Sequence, residues 1–536
     1  MAQVAGELSR ALVLIGFMGA GKSSAAAELA HALGSRARDS DALLRERFGH
    51  SIAHEFELNG EASFRAAEEE LVTELLDSAA PGEVLALGGG SVLSQRVRDA
   101  LAPHLVVAVD VDVPQAWERV RARPDGASAD ALERPLAADR DAFAALHAQR
   151  APLYDRLADA HLTGLERGGA ARALEGLARL QRAPAGTRLV WAASASGDYP
   201  VFVARGLLRE GGEDDLRALW PLELSSSRAF CVSDETVAAL YGARLPFATS
   251  TIAIAAGEES KTLASAERIW ERLLEGGATR ADHAVALGGG VVGDLAGFCA
   301  ATYQRGMPVV HVPTTLLAQV DSAYGGKTGV DLAQAKNYVG AYHQPAAVLV
   351  DPDVLATLAP AEYAAGWVEV LKTALIAGGE LWERAATGGD ADEHTILACA
   401  RTKIAIVAAD ERDKGLRRHL NLGHTVGHAI EAATHYTRYR HGEAVGLGLL
   451  AALTLSGAGE LRERVSALLA RRGLPVALEG VGVEPVMEAL ARDKKRLRAD
   501  ASASVPFVLV RAPGDIFVAE DVPVADVRAA IAELLA

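Results

Sequence analysis

Between Asn421 and Glu443 the chain reads NLGHTVGHAIEAATHYTRYRHGE, which sets His424 and His428 four residues apart and His441 beyond a short polar loop. Four-residue spacing puts the first two imidazoles on one helical face. Upstream, Glu369 interrupts the apolar run around Trp367-Val368 and is followed by Lys372. Two imidazoles and one carboxylate leave a catalytic zinc an open position. Taken alone, a helical histidine is more simply packed or solvated. The pattern also lacks the Glu of HExxH, so an ordinary metalloprotease helix is excluded.

A second set of chemistry-bearing residues opens the chain. Gly16-Phe17-Met18-Gly19-Ala20-Gly21-Lys22-Ser23 satisfies G-x-x-x-x-G-K-[ST] between an apolar strand, Leu12 to Ile15, and a helix, Ser24 to Leu33. Backbone N–H groups from Gly19 to Ser24 would cradle nucleotide phosphates, Lys22 would reach the β/γ oxygens, and Ser23 would ligate Mg²⁺. Asp39-Ser40-Asp41, Arg65 and Gly88-Gly89-Gly90 follow at loop ends. Asp41 could accept hydrogen bonds from substrate hydroxyls and orient one, while Arg65 could clamp an anionic group in a bidentate fork. Arg134 and Arg150 offer further anion contacts, although either alone reads equally as a surface arginine.

A third set lies between. Gly288 to Gly293 fits G-x-G-x-x-G after the strand Ala284 to Leu287, a pattern suited to a dinucleotide pyrophosphate. No acid follows about 20 residues on, so the ribose partner would be Asp234 or Glu258. Asp321, Lys327, Lys336, Arg305, Lys372, Arg417 and Lys494-Lys495 are many charges for one region. The cations among them, converging on one cleft, would hold a phosphorylated carboxylate.

The 536 residues that position these groups are long enough for about three domains. Half are hydrophobic and only 5% aromatic, which favours a helix-rich α/β protein. A formal net charge of −16 argues against nucleic acid and anionic membrane surfaces as partners. Cys231, Cys299 and Cys399 are odd in number and show no CxxC spacing, so a reducing cytoplasm is expected. The longest uncharged apolar run, Ala444 to Leu455, falls short of the roughly 20 residues of a membrane span. Breaker-rich residues 184–187 read as a linker between a 1–183 domain and the rest. Beyond it, strand-like runs at 201–204, 229–233, 250–255, 283–287 and 309–312 alternate with helical ones. The stretch before Asp39, Ser35 to Arg38, is polar for a strand.

Residues 10–180 resemble shikimate kinase in the order of the P-loop, D-x-D, F-R, glycine triplet, R-P-L and R-A-P-L-Y elements. The resemblance implies an ATP- and Mg²⁺-dependent kinase of shikimate. Lys22 and Asp41 would be catalytic, Ser23 and Asp39 would stand on the metal side, and Asp41, Arg65, Gly89 and Arg150 would be substrate ligands. Arg134 would be a lid arginine near the nucleotide.

From about 188 onward the chain resembles 3-dehydroquinate synthase, through GEESK, GGGVVGD, PTTLLAQVDS, GGKTGV, K-N, WVEVLK and NLGHTVGHAIE. That resemblance implies an NAD-binding Rossmann-like part (188–345) and a mainly helical part holding zinc, or cobalt, and substrate (346–536). Glu369, His424 and His441 would be the metal ligands, with His428 beside them. Gly257, Glu258, Lys261, Gly290, Val291, Val292, Gly293, Asp294, Thr314, Thr315 and Thr357 would contact NAD, with Asp234, Lys327 and Lys336 at the cofactor's edge. Arg305, Asp321, Lys327, Lys336, Lys372, Asn421, Arg417 and Lys494 would face the substrate. Asp413 stands where many members carry Glu.

The family reaction turns the seven-carbon phosphorylated keto acid DAHP (3-deoxy-D-arabino-heptulosonate 7-phosphate) into 3-dehydroquinate and phosphate, with no net redox change. The expectation is a bifunctional cytoplasmic enzyme of the shikimate pathway. By analogy alone, a homodimer through the synthase region is also expected. The alternative is a regulatory P-loop domain fused to a zinc, NAD-dependent polyol dehydrogenase.

Overall fold

The computed structural model describes residues 8–122, 139–165, 169–332, 335–497 and 504–535. The chain folds into two compact units, one running to Ala204 with Arg217–Leu219, the other comprising Arg205–Leu216 and everything from Trp220 onward.

In the first unit, the four apolar residues of β1 (Leu12–Ile15) are buried throughout. β1 lies parallel between β3 (Val84–Ala86) and β4 (Leu105–Val109). Strands covered on both faces read as continuous apolar runs, which is why these were legible. β2 (Ala37–Asp39) pairs outside β3. It tolerates its polar sequence because it is the edge strand, and Arg38 there reaches Glu83 at 3.0 Å. Beyond β4 come β5 (Ala160–Thr163) and β6 (Arg188–Ala192), both parallel, and then antiparallel β7 (Tyr199–Val203). The unit therefore continues past 184–187. There Thr187 closes a turn on the Pro184 carbonyl (2.7 Å), and β6 then joins the sheet against β5.

The second unit holds a parallel sheet of β8 (Ala229–Asp234), β9 (Ala248–Ile254), β10 (His283–Gly288), β11 (Val309–Pro313) and β14 (Ala347–Val350), in the order β14-β11-β10-β8-β9. A hairpin of β12 (Lys327–Leu332) and β13 (Ala335–Tyr342) lies outside it and carries both Lys327 and Lys336. The remainder is mainly helical. The helix Pro360–Ala377 starts with Pro in its first turn and is buried at every position from Ala365 to Ile376. The helix His441–Leu455 is likewise buried from Gly442 to Leu453, apart from Glu443. Helices apolar all round belong in a core, and these two bury Glu369 there and set half-buried His441 at the core's edge, as the first residue of its helix. A further hairpin, β15 (Ser504–Ala512) with β16 (Asp515–Pro523), closes the region. Among the described residues, no helix is long and apolar enough to cross a membrane.

Candidate active sites

Glu369 is fully buried, and its Oε1 lies 3.7 Å from His424 Nε2 and 3.6 Å from His441 Nε2. Oε1 accepts no hydrogen bond. A buried carboxylate oxygen left without a donor is costly unless a cation satisfies it. His424 turns Nδ1 to the Leu422 carbonyl at 3.1 Å, which aims Nε2 at the same point. Burial and then Lys372 push His424 down to about 3, so the ring is neutral, as a metal ligand must be. Against burial, Glu369 and Glu431 raise His441 to about 10, a demand for positive charge that a cation at Nε2 would meet in place of the ring's second proton. One oxygen and two ring nitrogens around one point fit a divalent cation such as zinc.

Close helix approach makes this cluster. Gly442 adjoins His441, and a Cβ there would stand 1.9 Å from the Ala365 carbonyl oxygen, one turn before Glu369. Similarly, a Cβ on Gly448 would stand 1.9 Å from the Gly423 carbonyl oxygen, next to His424. Only glycine allows the three ligand-bearing helices to meet at these distances.

Charged groups extend from the cluster. Lys372 pairs with Glu369 Oε2 at 2.5 Å and with Asp321 Oδ2 at 3.4 Å. Burial works against its charge, but Asp321 and Glu369 outweigh burial and hold its pKa above the ordinary lysine value. Asp321 Oδ1 also meets Lys403 at 2.5 Å, and Lys403 donates to the Asp321 carbonyl at 2.7 Å. Burial dominates at Lys403 and lowers its pKa. On the hairpin, Lys327 pairs with Asp413 at 2.5 Å and Lys336 with Glu431 at 3.0 Å. Arg417 is 2% exposed and donates to the Glu411 and Gly325 carbonyls, so its guanidinium shapes the backbone around Gly325. Asn421 is exposed three residues before His424, and His428 is exposed with its ring 5.2 Å from that of His424. Arg305 stands apart. It is exposed at φ +68°, on the turn leading into β11, whereas Thr314 follows the opposite end of that strand.

That opposite end gathers the dinucleotide motif. β10 runs into the helix Gly290–Thr302, whose N-cap, Gly289, supplies no side-chain cap. A Cβ on Gly289 would stand 2.8 Å from Thr315 Cγ2, so the backbone is bare where a pyrophosphate would approach. Thr314 Oγ1 is buried without a hydrogen-bond partner, a further fit to a ligand at this edge. Lys261 joins Asp294 and Asn337, each at 2.5 Å, and so holds the Gly257–Lys261 turn to the helix bearing Val291, Val292 and Gly293. Glu258 reaches Lys336 at 3.4 Å. Asp234 caps the helix Glu235–Tyr241 through Val237 N at 2.9 Å, and Thr357 meets Tyr241 OH at 2.8 Å.

In the first unit, Gly21 adopts φ +93° at the N-cap of the helix Lys22–Ala32, again without a side-chain cap. The N–H groups of its first turn form a ready phosphate cradle. Lys22 rests on the Gly16 and Phe17 carbonyls at 2.9 and 3.1 Å. Ser23 Oγ and Asp39 Oδ2 are 2.5 Å apart, a pair able to share Mg²⁺. A Cβ on Gly88 would stand 2.6 Å from Asp41 Oδ1, and one on Gly90 2.1 Å from Arg65 Nη1, so both side chains lie over the glycine triplet. Buried Arg150 interacts with Tyr154, whose hydroxyl donates to the Gly89 carbonyl at 2.5 Å. Burial pushes Tyr154 up to about 12. The result is an anion-binding wall beside a phosphate loop. Arg134 and the Lys494 side chain lie outside the described residues.

Several side chains take roles that the sequence alone did not assign to them. Glu68 is 3% exposed, accepts from Arg65 at 2.6 Å and from Ser91 at 2.8 Å, and so aims the arginine. Arg119 touches the Gly19 and Ala20 carbonyls at 3.3 and 3.4 Å. Glu431 is a buried charge, and Lys403 a partly buried one, in apolar helices. The same signal singled out Glu369.

Residues 18–179 match the family model described as shikimate kinase, and 251–365 and 366–496 match the N-terminal and C-terminal models of 3-dehydroquinate synthase. The 3-dehydroquinate synthase of Halorhodospira halophila is 42% identical over 347 residues, 62% of this chain and 95% of that protein. That of Brucella ovis is 42% identical over 364 residues, 63% of this chain and 94% of the relative. A 2-epi-5-epi-valiolone synthase from Streptomyces hygroscopicus, solved with NAD⁺ and Zn²⁺ bound, is 27% identical with a TM-score of 0.56, covering 64% of this chain and 98% of its own. The chain therefore belongs to the 3-dehydroquinate synthase family and carries a shikimate kinase domain ahead of that region.

Proposed function

We propose that one chain performs two reactions of the shikimate pathway, with the side chains above dividing the work. The first unit phosphorylates shikimate to shikimate 3-phosphate, and the second converts DAHP to 3-dehydroquinate and phosphate. The observation that carries this reading is the Glu369, His424 and His441 donor set beside Lys372, Lys403 and Asp321. A simple dinucleotide dehydrogenase needs no such cation cluster, whereas a phosphorylated keto acid does.

When bound, NAD⁺ accepts and later returns a hydride, the divalent cation polarises the oxygen of the alcohol concerned, and MgATP supplies the γ-phosphoryl group. Glu369, His424 and His441 hold the cation. Lys372 and Lys403, with Asp321 between them, present fixed charge to the substrate's anionic end, and Lys327 and Lys336 face it from the hairpin. Gly290–Asp294, Thr314 and Lys261 bind the dinucleotide. In the kinase unit, Lys22 neutralises phosphate, Ser23 and Asp39 face Mg²⁺, Arg65 and Arg150 clamp the shikimate carboxylate, and Asp41 orients the attacking hydroxyl. A homodimer through the synthase region rests on the family resemblance, and sedimentation equilibrium of the intact protein tests it.

Mass-spectrometric product analysis is the deciding experiment, with DAHP, NAD⁺ and Zn²⁺ supplied together with shikimate and MgATP. Both 3-dehydroquinate and shikimate 3-phosphate are expected from the one chain. Absence of either product removes the corresponding assignment. The Asp41→Asn variant is expected to lower shikimate phosphorylation by about 10²–10⁴-fold while 3-dehydroquinate formation is unchanged. A kinase rate within a few-fold of the parent would take the hydroxyl-orienting role away from Asp41.

A further inference from the structure

We infer that Glu431 is a positioning residue that ties the metal-binding imidazole of His441 to the substrate-side ammonium of Lys336. The inference rests on the reading of Glu369, His424 and His441 as the metal ligands. Glu431 sits in the helix His424–Ala433 and is 1% exposed, so its carboxylate must be satisfied from within. Its two oxygens face different partners. Oε2 lies 3.4 Å from His441 Nδ1, and Oε1 accepts from Lys336 Nζ at 3.0 Å.

The first contact fixes a ring. With Nδ1 donating to Glu431, Nε2 presents its lone pair to the point that Glu369 Oε1 and His424 share. His424 uses a backbone carbonyl for the same purpose, but a carboxylate makes the ring a stronger donor. The second contact fixes a cation. Lys336 also lies 3.4 Å from Glu258 and 4.8 Å from the centre of the Tyr436 ring, so three groups hold its ammonium, with Glu431 nearest. A metal ligand and a hairpin lysine are thus both set by one side chain.

A second cation is the competing occupant of this corner. Ligand atoms of His428, Glu431 and His441 also lie within 4.8 Å of one another, a geometry open to a second cation. Lys336 decides against it. Its charge already satisfies Glu431 at 3.0 Å and would repel a divalent ion placed there.

The test uses the full chain stripped of metal and the near-isosteric Glu431→Gln variant. Zinc affinity is read by competition with a chromogenic chelator, the Co²⁺-loaded protein by its visible absorption spectrum, and KM for DAHP by turnover. Zinc affinity is expected to fall by about 10–100-fold, with an altered Co²⁺ spectrum and a raised KM. Glu431→Asp, which keeps the charge, should recover part of each loss and also serves if the Gln variant does not fold. Lys336→Met should raise KM without weakening zinc. Wild-type zinc affinity and Co²⁺ spectrum in Glu431→Gln would overturn the positioning role. If the parent chain binds zinc but Glu369→Gln binds it equally well, the metal-site reading fails, and this inference with it.

Discussion

Gly442→Ala is expected to abolish zinc retention and cut 3-dehydroquinate formation by at least about 100-fold, while shikimate phosphorylation continues. The added methyl would stand 1.9 Å from the Ala365 carbonyl oxygen, 2.5 Å from its carbonyl carbon and 2.8 Å from its Cα. All three are rigid backbone atoms. Ordinary contact begins beyond 3.4 Å, so the two helices must separate by more than 1 Å. Misplacement on that scale costs about 10²-fold in an active site. His441 adjoins Gly442 and Glu369 lies one turn past Ala365, so separation opens the donor set directly. The kinase residues lie in the other compact unit. Metal analysis after gel filtration, with both activities assayed on the same sample, reads the result. Full zinc content with near-parent turnover would mean that the helices do not approach this closely.

Glu369→Gln should be nearly as damaging, for an electrostatic reason. The side chain keeps its shape but loses the charge that balances Lys372 at 2.5 Å and faces both imidazoles. In the parent, those three neighbours outweigh burial and hold Glu369 well below the usual carboxylate range, so it is ionised. Removing one partner of a buried ion pair costs about 3–5 kcal/mol, because the other charge is stranded. Asp321 already accepts from Lys403 and can only partly compensate Lys372. Zinc affinity should fall by at least about 100-fold, and the melting temperature of the synthase unit should drop. Unchanged zinc affinity, measured by chelator competition, would remove Glu369 from the ligand set.

Both expectations depend on residues that differ in how far the sequence alone reveals them. The phosphate loop was fully legible, because its chemistry needs glycines and a lysine at fixed local spacing. The same holds for His424 and His428, one turn apart on one helix. Glu369 stood out because ionised residues are rare within apolar helices. Lys403 carries the same signal in TILACARTKIAIVAA, but Arg401 beside it makes the stretch look like a solvated face. The contact of Lys403 with Asp321, 82 residues away in sequence, reveals its place.

Amino-acid order by itself determined the α/β strand pattern, the two phosphate-suited turns, and which side chains could bind metal or anions, since each depends on contacts within a few residues. Only the tertiary structure decided which of them meet. Residues 188–203 extend the first unit's sheet because β6 finds its partner in β5, a pairing no local pattern encodes. Arg305 carries the charge expected of a substrate residue, yet parallel-strand topology sets it before β11 while Thr314 follows the strand's other end. Glu431 showed nothing of its partners until folding closed His441 and Lys336 around it from opposite sides in sequence. Spacing along the chain limits what one element can present, and the approach of different elements is set by packing, here by the absence of a side chain at Gly442 and Gly448.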